Sequence, residues 1–361
     1  MKSFLDLLRT IKQTGKYTMD RTGVGRHRIF GTQTRYSLAD GTLPVVTTRK
    51  IFTDAIVKEL LWFISGSYNS EELKAQGVKI WDQWTVKPEH ITAFVAKHTD
   101  NEQAASNLRA FCEERYLGTI GEMYGAMWRN AARKDMHSFW PELDEKDLPS
   151  DKLAAWKLDY EEHVKVAKDK IVDFKTFCKH MYYSSVDQLN ELMVNLRKRP
   201  YSSRLVVNAW IPSHIPFEEI SPEENVLLDR GALAPCHVMF QCFATPPEVE
   251  GGKPKLSLMM TQRSVDTPVG ACYNIAQYSL LLALIAHCSD MEPDEFIWST
   301  GDTHIYSDQM HLVDTQLERK PFDPPKLWIN PEKKDLFSFT FDDIKILDYV
   351  SHPHIPYPVA K

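Results

Sequence analysis

Two repeating patterns of apolar residues predict the first regular elements of this 361-residue chain. Residues 2–14 place apolar side chains at helical spacing along one face, so we predict an opening helix. Residues 26–38 alternate as a strand does, and the turn signal Asp40-Gly41 follows them.

Two further segments are apolar enough to predict helices in the core. Residues 53–65 are strongly apolar, and the stretch from Ala55 to Ile64 carries a single carboxylate, Glu59. The second helix is Ile275–Cys288; its apolar run is too short to span a bilayer, which favours a buried core helix. Further strands are predicted at Arg204–Trp210, Val238–Ala244, Leu256–Gln262 and Glu295–Ser299.

Residues 86–116 and 131–195 differ in character from the rest of the chain. Both are rich in Lys, Glu and Asp at helical spacing. We predict a single domain over residues 1–361, with these two segments as helical insertions on the outside of its core. Added surface is the simpler interpretation, and a lid or partner surface is the alternative.

Composition indicates a soluble globular protein, with 43% apolar and 25% charged residues. The formal net charge is −6, so no basic field points to a nucleic-acid partner. The chain opens without a signal-peptide pattern, and its six cysteines form no CxxC pair. We therefore expect a reduced, cytoplasmic protein without a membrane partner.

Several segments carry residues that are capable of chemistry. Cys236 follows Ala234-Pro235, but a lone cysteine is more often a small core residue than a nucleophile. The glycine-punctuated loop Asp20–Arg26 has arginines on both sides and could hold a phosphate, although it lacks P-loop spacing. Gln262–Asp266 and the short turn Gly301–Tyr306 each group several polar residues, which a structural hydrogen-bond cluster would also explain. No zinc-site spacing is present, and we expect no metal.

Taken together, these segments resemble the thymidylate synthase family. The resemblance runs through ten stretches in the family's order: Asp20–Gly25, Thr47–Lys50, Glu59–Gly66, Ile80–Asp82, Tyr124–Arg129, Leu233–His237, Gln262–Asp266, Asn274–Tyr278, Gly301–Ser307 and Pro358–Ala360. It implies an α+β fold, a mixed sheet flanked by helices, with two chains packed sheet against sheet.

The resemblance also implies catalytic roles. Cys236 would add to C6 of the uracil ring of dUMP, making C5 nucleophilic toward the one-carbon unit of 5,10-methylenetetrahydrofolate. Asn274 would pair with O4 and N3–H of the base, which favours dUMP over dCMP. Glu59 and Tyr124 would handle protons and water around the ring. Asp266 would serve both catalysis and the folate.

Binding residues follow from the same resemblance. The 5′-phosphate of dUMP would be held by Arg21, Arg204, Arg263 and Ser264, with Arg204 contributed by the second subunit of a homodimer. Gln262 would assist in substrate binding, and His304 with Tyr306 would bind the 3′-hydroxyl. The folate would be held by Arg49, Trp81, Trp84, Asp266, Gly270, Tyr273 and Ala360.

Several positions depart from the family pattern. A Gly-Pro-Val-Tyr-Gly segment is replaced by Gly121–Gly125, which introduces Glu122, and Cys272-Tyr273 replaces Pro-Phe. The final residue is Lys361 rather than an apolar one, and Ser203 replaces one phosphate-binding arginine.

An apolar tail excludes water, and the charged Lys361 and the added carboxylate of Glu122 point the other way. They favour a phage-encoded deoxyuridylate hydroxymethylase, in which water ends the reaction and gives 5-hydroxymethyl-dUMP. The alternatives are a synthase that makes dTMP by hydride transfer and a catalytically silent homologue that binds a nucleotide or RNA.

Overall fold

The computed structural model describes residues 1–20, 23–132 and 185–359. Within these ranges the α-helices are α1 (Lys2–Thr14), α2 (Thr53–Ser65), α3 (Ser70–Ala75), α4 (Pro88–His98), α5 (Glu102–Tyr116), α6 (Tyr124–Arg129), α7 (Gln188–Lys198), α8 (Pro222–Leu227), α9 (Cys272–Cys288) and α10 (Met310–Glu318). The strands are β1 (Lys16–Thr18), β2 (Arg26–Ser37), β3 (Ala131–Ala132), β4 (Ser185–Val186), β5 (Val206–Asn208), β6 (His237–Thr245), β7 (Lys255–Asp266), β8 (Glu292–Tyr306), β9 (Lys326–Ile329) and β10 (Ile344–Leu347).

A six-stranded mixed sheet, in the order β1-β2-β8-β7-β6-β5, lies at the centre of the fold. Strands β7 and β8 run parallel, and each other neighbouring pair in this sheet is antiparallel. Parallel neighbours need a crossover, and α9 supplies it between β7 and β8. This arrangement of a mixed sheet with flanking helices confirms the predicted α+β class.

Helix α9 forms the centre of the core and begins beside the site described below. It is buried along nearly all of its length because it is apolar on every face, and Tyr273, Asn274 and His287 are the less buried positions. With the π-helical turn Thr267–Ala271 it makes a continuous helix of 22 residues, long and apolar enough to cross a membrane. The expectation that the apolar run is too short was therefore wrong about length. Burial inside the protein still indicates a core helix.

Sequence patterns predicted α1, α2, α9 and five strands of the central sheet, whereas elements such as α3, α10, β1, β9 and β10 were not predicted. Helices α1 and α2 span the predicted residues, whereas β8 extends to Tyr306 and includes the segment predicted as a short turn, Gly301–Tyr306. That segment pairs with β2, Arg26 opposite Tyr306 and Phe30 opposite Asp302. Polar residues hid this strand because Asp302 pairs with His304 and with Arg26 of β2, so the segment lacks apolar alternation.

The two predicted insertions are described to different extents. Residues 86–116 contain α4 and α5, which bury Ile91, Phe94 and Cys112 against the rest of the protein. Most of residues 131–195 lie outside the described ranges. The assignment of both segments as insertions on one domain stays a prediction.

Candidate active site

A cleft of about 220 Å³ opens where the start of β6, the end of β7 and the beginning of α9 meet helix α2. It is lined by Glu59, Phe63, Trp81, Tyr124, Cys236, His237, Gln262, Ser264, Val265, Asp266, Gly270, Asn274 and Gln277. These residues come from segments distant in the chain, so the cleft exists only in the folded protein.

Cys236 lies immediately before β6 and is held by its backbone. Its N–H donates to the Tyr124 hydroxyl at 2.9 Å, and its carbonyl accepts from the backbone N–H of Arg263 at 2.9 Å. Burial raises the pKa of the Cys236 thiol, and the positive charge of Arg263 opposes that rise. The charge of Arg263 favours the thiolate, but burial is the larger influence and favours the neutral thiol.

The Arg263 guanidinium is fixed against the segment that precedes the cysteine. Its Nε donates to the Pro235 carbonyl at 2.9 Å and its Nη2 to the Ala234 carbonyl at 2.8 Å. A guanidinium has five N–H donors, so these bonds leave others for an anion.

Tyr124 presents a protonated hydroxyl next to Cys236. Its oxygen accepts from the backbone N–H of Cys236 and of His237, the latter at 3.4 Å, and burial raises its pKa. Because the oxygen accepts both bonds, the hydroxyl proton remains for donation. The segment before Tyr124 requires glycine at Gly121, which has φ +70° and whose added Cβ would lie 2.1 Å from the Arg230 carbonyl oxygen.

Glu59 lies on the cleft face of α2, one turn before Phe63. Its two carboxylate oxygens accept one bond each, from Trp81 Nε1 and from Gln277 Nε2, both at 2.8 Å. Burial raises the pKa of Glu59 to about 7, and the two hydrogen bonds only partly oppose this. A carboxyl group with such a pKa can both give and take a proton near neutrality.

A chain of three side chains fixes the orientation of the Asn274 amide. The indole nitrogen of buried Trp298, which can only donate, donates to Gln262 Oε1 at 2.9 Å. Gln262 must therefore present its NH₂ group to Asn274, and Nε2 donates to Asn274 Oδ1 at 3.0 Å. The Asn274 side chain is also within hydrogen-bonding range of His237, and it lines the cleft with an NH₂ group that Gln262 does not use.

Asp266 ends β7 on the opposite side of the cleft. Its Oδ1 accepts from the Val269 N–H at 3.3 Å and its Oδ2 from Gln309 Nε2 at 2.9 Å. Burial raises the pKa of Asp266 to about 6.

The two predicted tryptophans lie near Glu59. Trp81 lines the cleft, and Trp84 packs against Trp81 with ring centroids 5.6 Å apart.

Arg49 is buried beside the start of α9. Its Nη2 donates to the Pro268 carbonyl at 2.8 Å and lies 2.8 Å from Cys272 Sγ, while its Nε has no hydrogen-bond partner among the described residues. The guanidinium lies 5.9 Å from the Tyr273 ring centroid and 5.4 Å from that of Tyr357. A buried guanidinium with an unused donor suits an anionic group of a ligand.

His304 and Tyr306 lie at the end of β8 within a charged cluster. His304 Nδ1 is 3.1 Å from Asp302 Oδ1, and Asp302 also pairs with Arg26 at 3.3 Å. The Tyr306 hydroxyl donates to Asp20 Oδ2 at 3.3 Å. This cluster joins the ends of β2 and β8 and adjoins Asp266 through the pairing of Asp266 with His304.

Comparison with known proteins identifies the family to which this arrangement belongs. The thymidylate synthase family profile matches residues 2–361. A thymidylate synthase of Francisella philomiragia subsp. philomiragia is 34% identical over 355 residues, which cover 98% of each chain. This chain belongs to the thymidylate synthase family.

Members of the thymidylate synthase family are folate-dependent transferases that bind dUMP and use methylenetetrahydrofolate as co-substrate. The match to the bacterial synthase spans both predicted insertions, because the two chains align over nearly their full, similar lengths. In the described part of the chain, no group of three His, Cys, Asp or Glu side chains could hold a metal ion.

The fold brings together most of the residues expected from the family resemblance. The cleft is lined by Cys236, Glu59, Tyr124, Asn274, Asp266, Gln262, Ser264, Trp81 and Gly270. Arg204 is exposed and does not line the cleft of its own chain. Arg21 and Ala360 lie outside the described residues.

Some contributors to the site were missed in the sequence. Gln277 bonds to Glu59, and its position one helical turn after Asn274 was the available signal. His237 stacks on Tyr124 with centroids 4.9 Å apart, and burial lowers its pKa to about 4, so it is neutral. Trp298 gave no signal, because a tryptophan in an apolar strand is typical of any core.

Proposed function

We propose that this enzyme transfers the one-carbon unit of 5,10-methylenetetrahydrofolate to C5 of dUMP and ends the reaction by hydride transfer, giving dTMP and dihydrofolate. The observation that carries the transfer step is the placement of Cys236 and the oriented Asn274 amide in one cleft of about 220 Å³. Asn274 can accept from uracil N3–H and donate to O4, which positions the base for the thiol.

The reaction uses Cys236 as nucleophile. The thiolate forms a bond to C6, and the ring electrons move toward C5 and O4. C5 then bonds to the one-carbon unit and loses its proton. Loss of the folate amine leaves a methylene group conjugated to the ring. Hydride from the folate reduces that methylene, and expulsion of the thiolate restores the ring and releases dTMP.

Glu59 and Tyr124 are placed to manage the protons of this sequence. The pKa of Glu59, raised by burial to about 7, suits exchange of a proton near neutral pH. The Tyr124 hydroxyl lies at the Cys236 backbone and keeps its own proton for donation.

The C-terminal segment supports hydride transfer as the final step. The Tyr357 hydroxyl donates to Gln316 Oε1 at 2.7 Å, and the Pro358 carbonyl accepts from Gln309 Nε2 at 2.9 Å. These bonds dock the segment beside Asp266, where it would exclude water from the reactive methylene.

Glu122, a departure from the family pattern that favoured termination by water, does not line the cleft. Glu122 pairs with His214 at 3.0 Å, and the described residues that line the cleft do not include it. The added carboxylate is therefore not positioned to orient a water at C5.

Deoxyuridylate hydroxymethylation is the second candidate. It is favoured by the charged Lys361 at the end of the tail and by Cys272-Tyr273, which replace an apolar pair at the start of α9. Cys272 and Tyr273 add polar groups beside Arg49 at the start of α9, whereas Lys361 lies outside the described residues. Water capture at the methylene would give 5-hydroxymethyl-dUMP.

Product identification separates the two candidates. The purified enzyme is supplied with dUMP and methylenetetrahydrofolate, and both products are identified by mass spectrometry. We expect dTMP with dihydrofolate; 5-hydroxymethyl-dUMP with tetrahydrofolate would overturn the hydride proposal and support the second candidate. Cys236→Ala is the control: it should bind dUMP without turnover, and activity equal to the parent would contradict the nucleophile assignment.

We also propose a homodimer formed through the outward face of the sheet, consistent with Arg204 completing the partner's site. Phe30 on β2 and Phe243 on β6 are 87% and 64% exposed. Large apolar side chains exposed on a sheet mark an interaction surface.

A further inference from the structure

One buried amide connects the C-terminal segment to Asp266. Gln309 follows β8 and is fully buried. Its Nε2 donates to Asp266 Oδ2 at 2.9 Å and to the Pro358 carbonyl at 2.9 Å, and its Oε1 accepts from the Tyr306 N–H at 3.1 Å. Every polar atom of this side chain is therefore used, and both hydrogens of its NH₂ group are committed.

We infer that Gln309 is a positioning residue that couples docking of the C-terminal segment to the charge and orientation of Asp266, and hence to folate binding. The link to folate rests on the proposed function.

The coupling follows from the two hydrogens of one NH₂ group. If Pro358 leaves, a buried N–H loses its acceptor, which disfavours the orientation that also serves Asp266. A docked Pro358 holds the amide with its donors toward Asp266, and N–H donors favour the ionised carboxylate. Conversely, a protonated Asp266 can itself donate, which favours rotation of the Gln309 amide and loss of the bond to Pro358. By thermodynamic linkage, docking of Pro358 therefore favours ionisation of Asp266, and ionisation of Asp266 favours docking of Pro358 to the same extent.

Other groups near Asp266 do not replace this link. His304 and Arg49 lower the pKa of Asp266 through their charge, whereas burial is the largest influence and raises it to about 6. The hydroxyls of Tyr306 and Tyr357 also lie within electrostatic range. None of these four groups contacts Asp266 and the Pro358 carbonyl together among the hydrogen bonds of the described residues.

The test compares Gln309→Met with Tyr357→Phe. Methionine keeps the length of the side chain but removes the donors to both partners. Tyr357→Phe removes a tail anchor, the bond to Gln316, without touching Asp266. Each substitution is placed in full-length Cys236→Ala protein, which removes turnover. The dissociation constant of methylenetetrahydrofolate is then measured with dUMP present from about pH 5 to about pH 8.

Amide hydrogen exchange of the C-terminal segment provides a second measurement that needs no folate. Variants are compared at the same pH, so the intrinsic exchange rate cancels. His304, His352 and His354 are unchanged in all variants, so they contribute equally to each comparison at one pH. Gln309→Leu, which also removes both donors and adds no titratable group, replaces Gln309→Met if the latter does not fold, with the same expected results.

As the pH is lowered, folate affinity should begin to fall about one to two pH units higher in Gln309→Met than in the parent. The reason is that the ionised form of Asp266 loses a hydrogen bond. Tail exchange should become faster and lose the pH dependence centred near the pKa of Asp266. Tyr357→Phe should accelerate exchange but keep both pH dependences. Identical behaviour of the two variants, or folate affinity in Gln309→Met that falls at the same pH as in the parent, would overturn the inference.

Absence of folate binding in the parent protein would count against the proposed function alone. The tail-exchange comparison would then decide the coupling.

Discussion

Replacement of Glu59 by glutamine tests the electrostatics of the cleft through protein stability. Burial raises the pKa of Glu59 from 4.5 to about 7, so between these values the folded protein binds more protons than the unfolded chain. The stability that the neutral carboxyl contributes is fully present below pH 4.5. It is lost as the pH rises through about 7. At about 1.4 kcal/mol per pKa unit, the loss is roughly 3 kcal/mol.

Glu59→Gln removes this titration and adds a fixed cost. The carboxyl oxygens accept from Trp81 and from Gln277, and an amide can accept only one of these bonds. The lost bond costs about 1–2 kcal/mol at any pH. The variant should therefore be less stable than the parent at about pH 5 and more stable at about pH 8.

Urea unfolding at fixed protein concentration measures this difference. The free energy of unfolding is determined at both pH values for the parent, for Glu59→Gln and for Asp54→Asn. Asp54 is an exposed carboxylate on the same helix, so its substitution should change stability equally at both pH values. The raised pKa of Asp266 affects parent and variant alike and cancels. Parallel pH curves for the parent and Glu59→Gln would refute the argument from burial.

Two further predictions concern substrate choice and assembly. Asn274→Asp should shift the ratio of kcat/KM toward dCMP by roughly 10–100-fold, because a carboxylate accepts from the cytosine amino group and repels uracil O4. Unchanged dUMP selectivity in competition assays would contradict the orientation of the Asn274 amide fixed through Gln262. Co-refolding inactive Arg204→Ala and Cys236→Ala chains should restore activity, because one of the two sites in the mixed dimer would hold both intact residues. If sedimentation shows mixed dimers but activity does not recover, Arg204 acts in the site of its own chain.

The sequence by itself predicted the main core helices and five of the six strands of the central sheet, and it indicated the family. Helical spacing in residues 2–14 and the apolar run in residues 53–65 predicted α1 and α2, because burial of apolar side chains dominates the stability of both helices. The polar end of β8 was hidden from the same reasoning, since residues such as Asp302 and His304 gain their partners from β2 and Arg26.

Tertiary structure alone decided which polar groups act together. Glu59 and Gln277, or Gln309 and Pro358, are far apart in the chain, and their hydrogen bonds form only when α9 and the C-terminal segment pack against the cleft. The same holds for pKa values, because burial and partners set them and neither is written in local spacing. Glu122 illustrates the limit: its sequence position pointed to the cleft, but its side chain pairs with His214 instead.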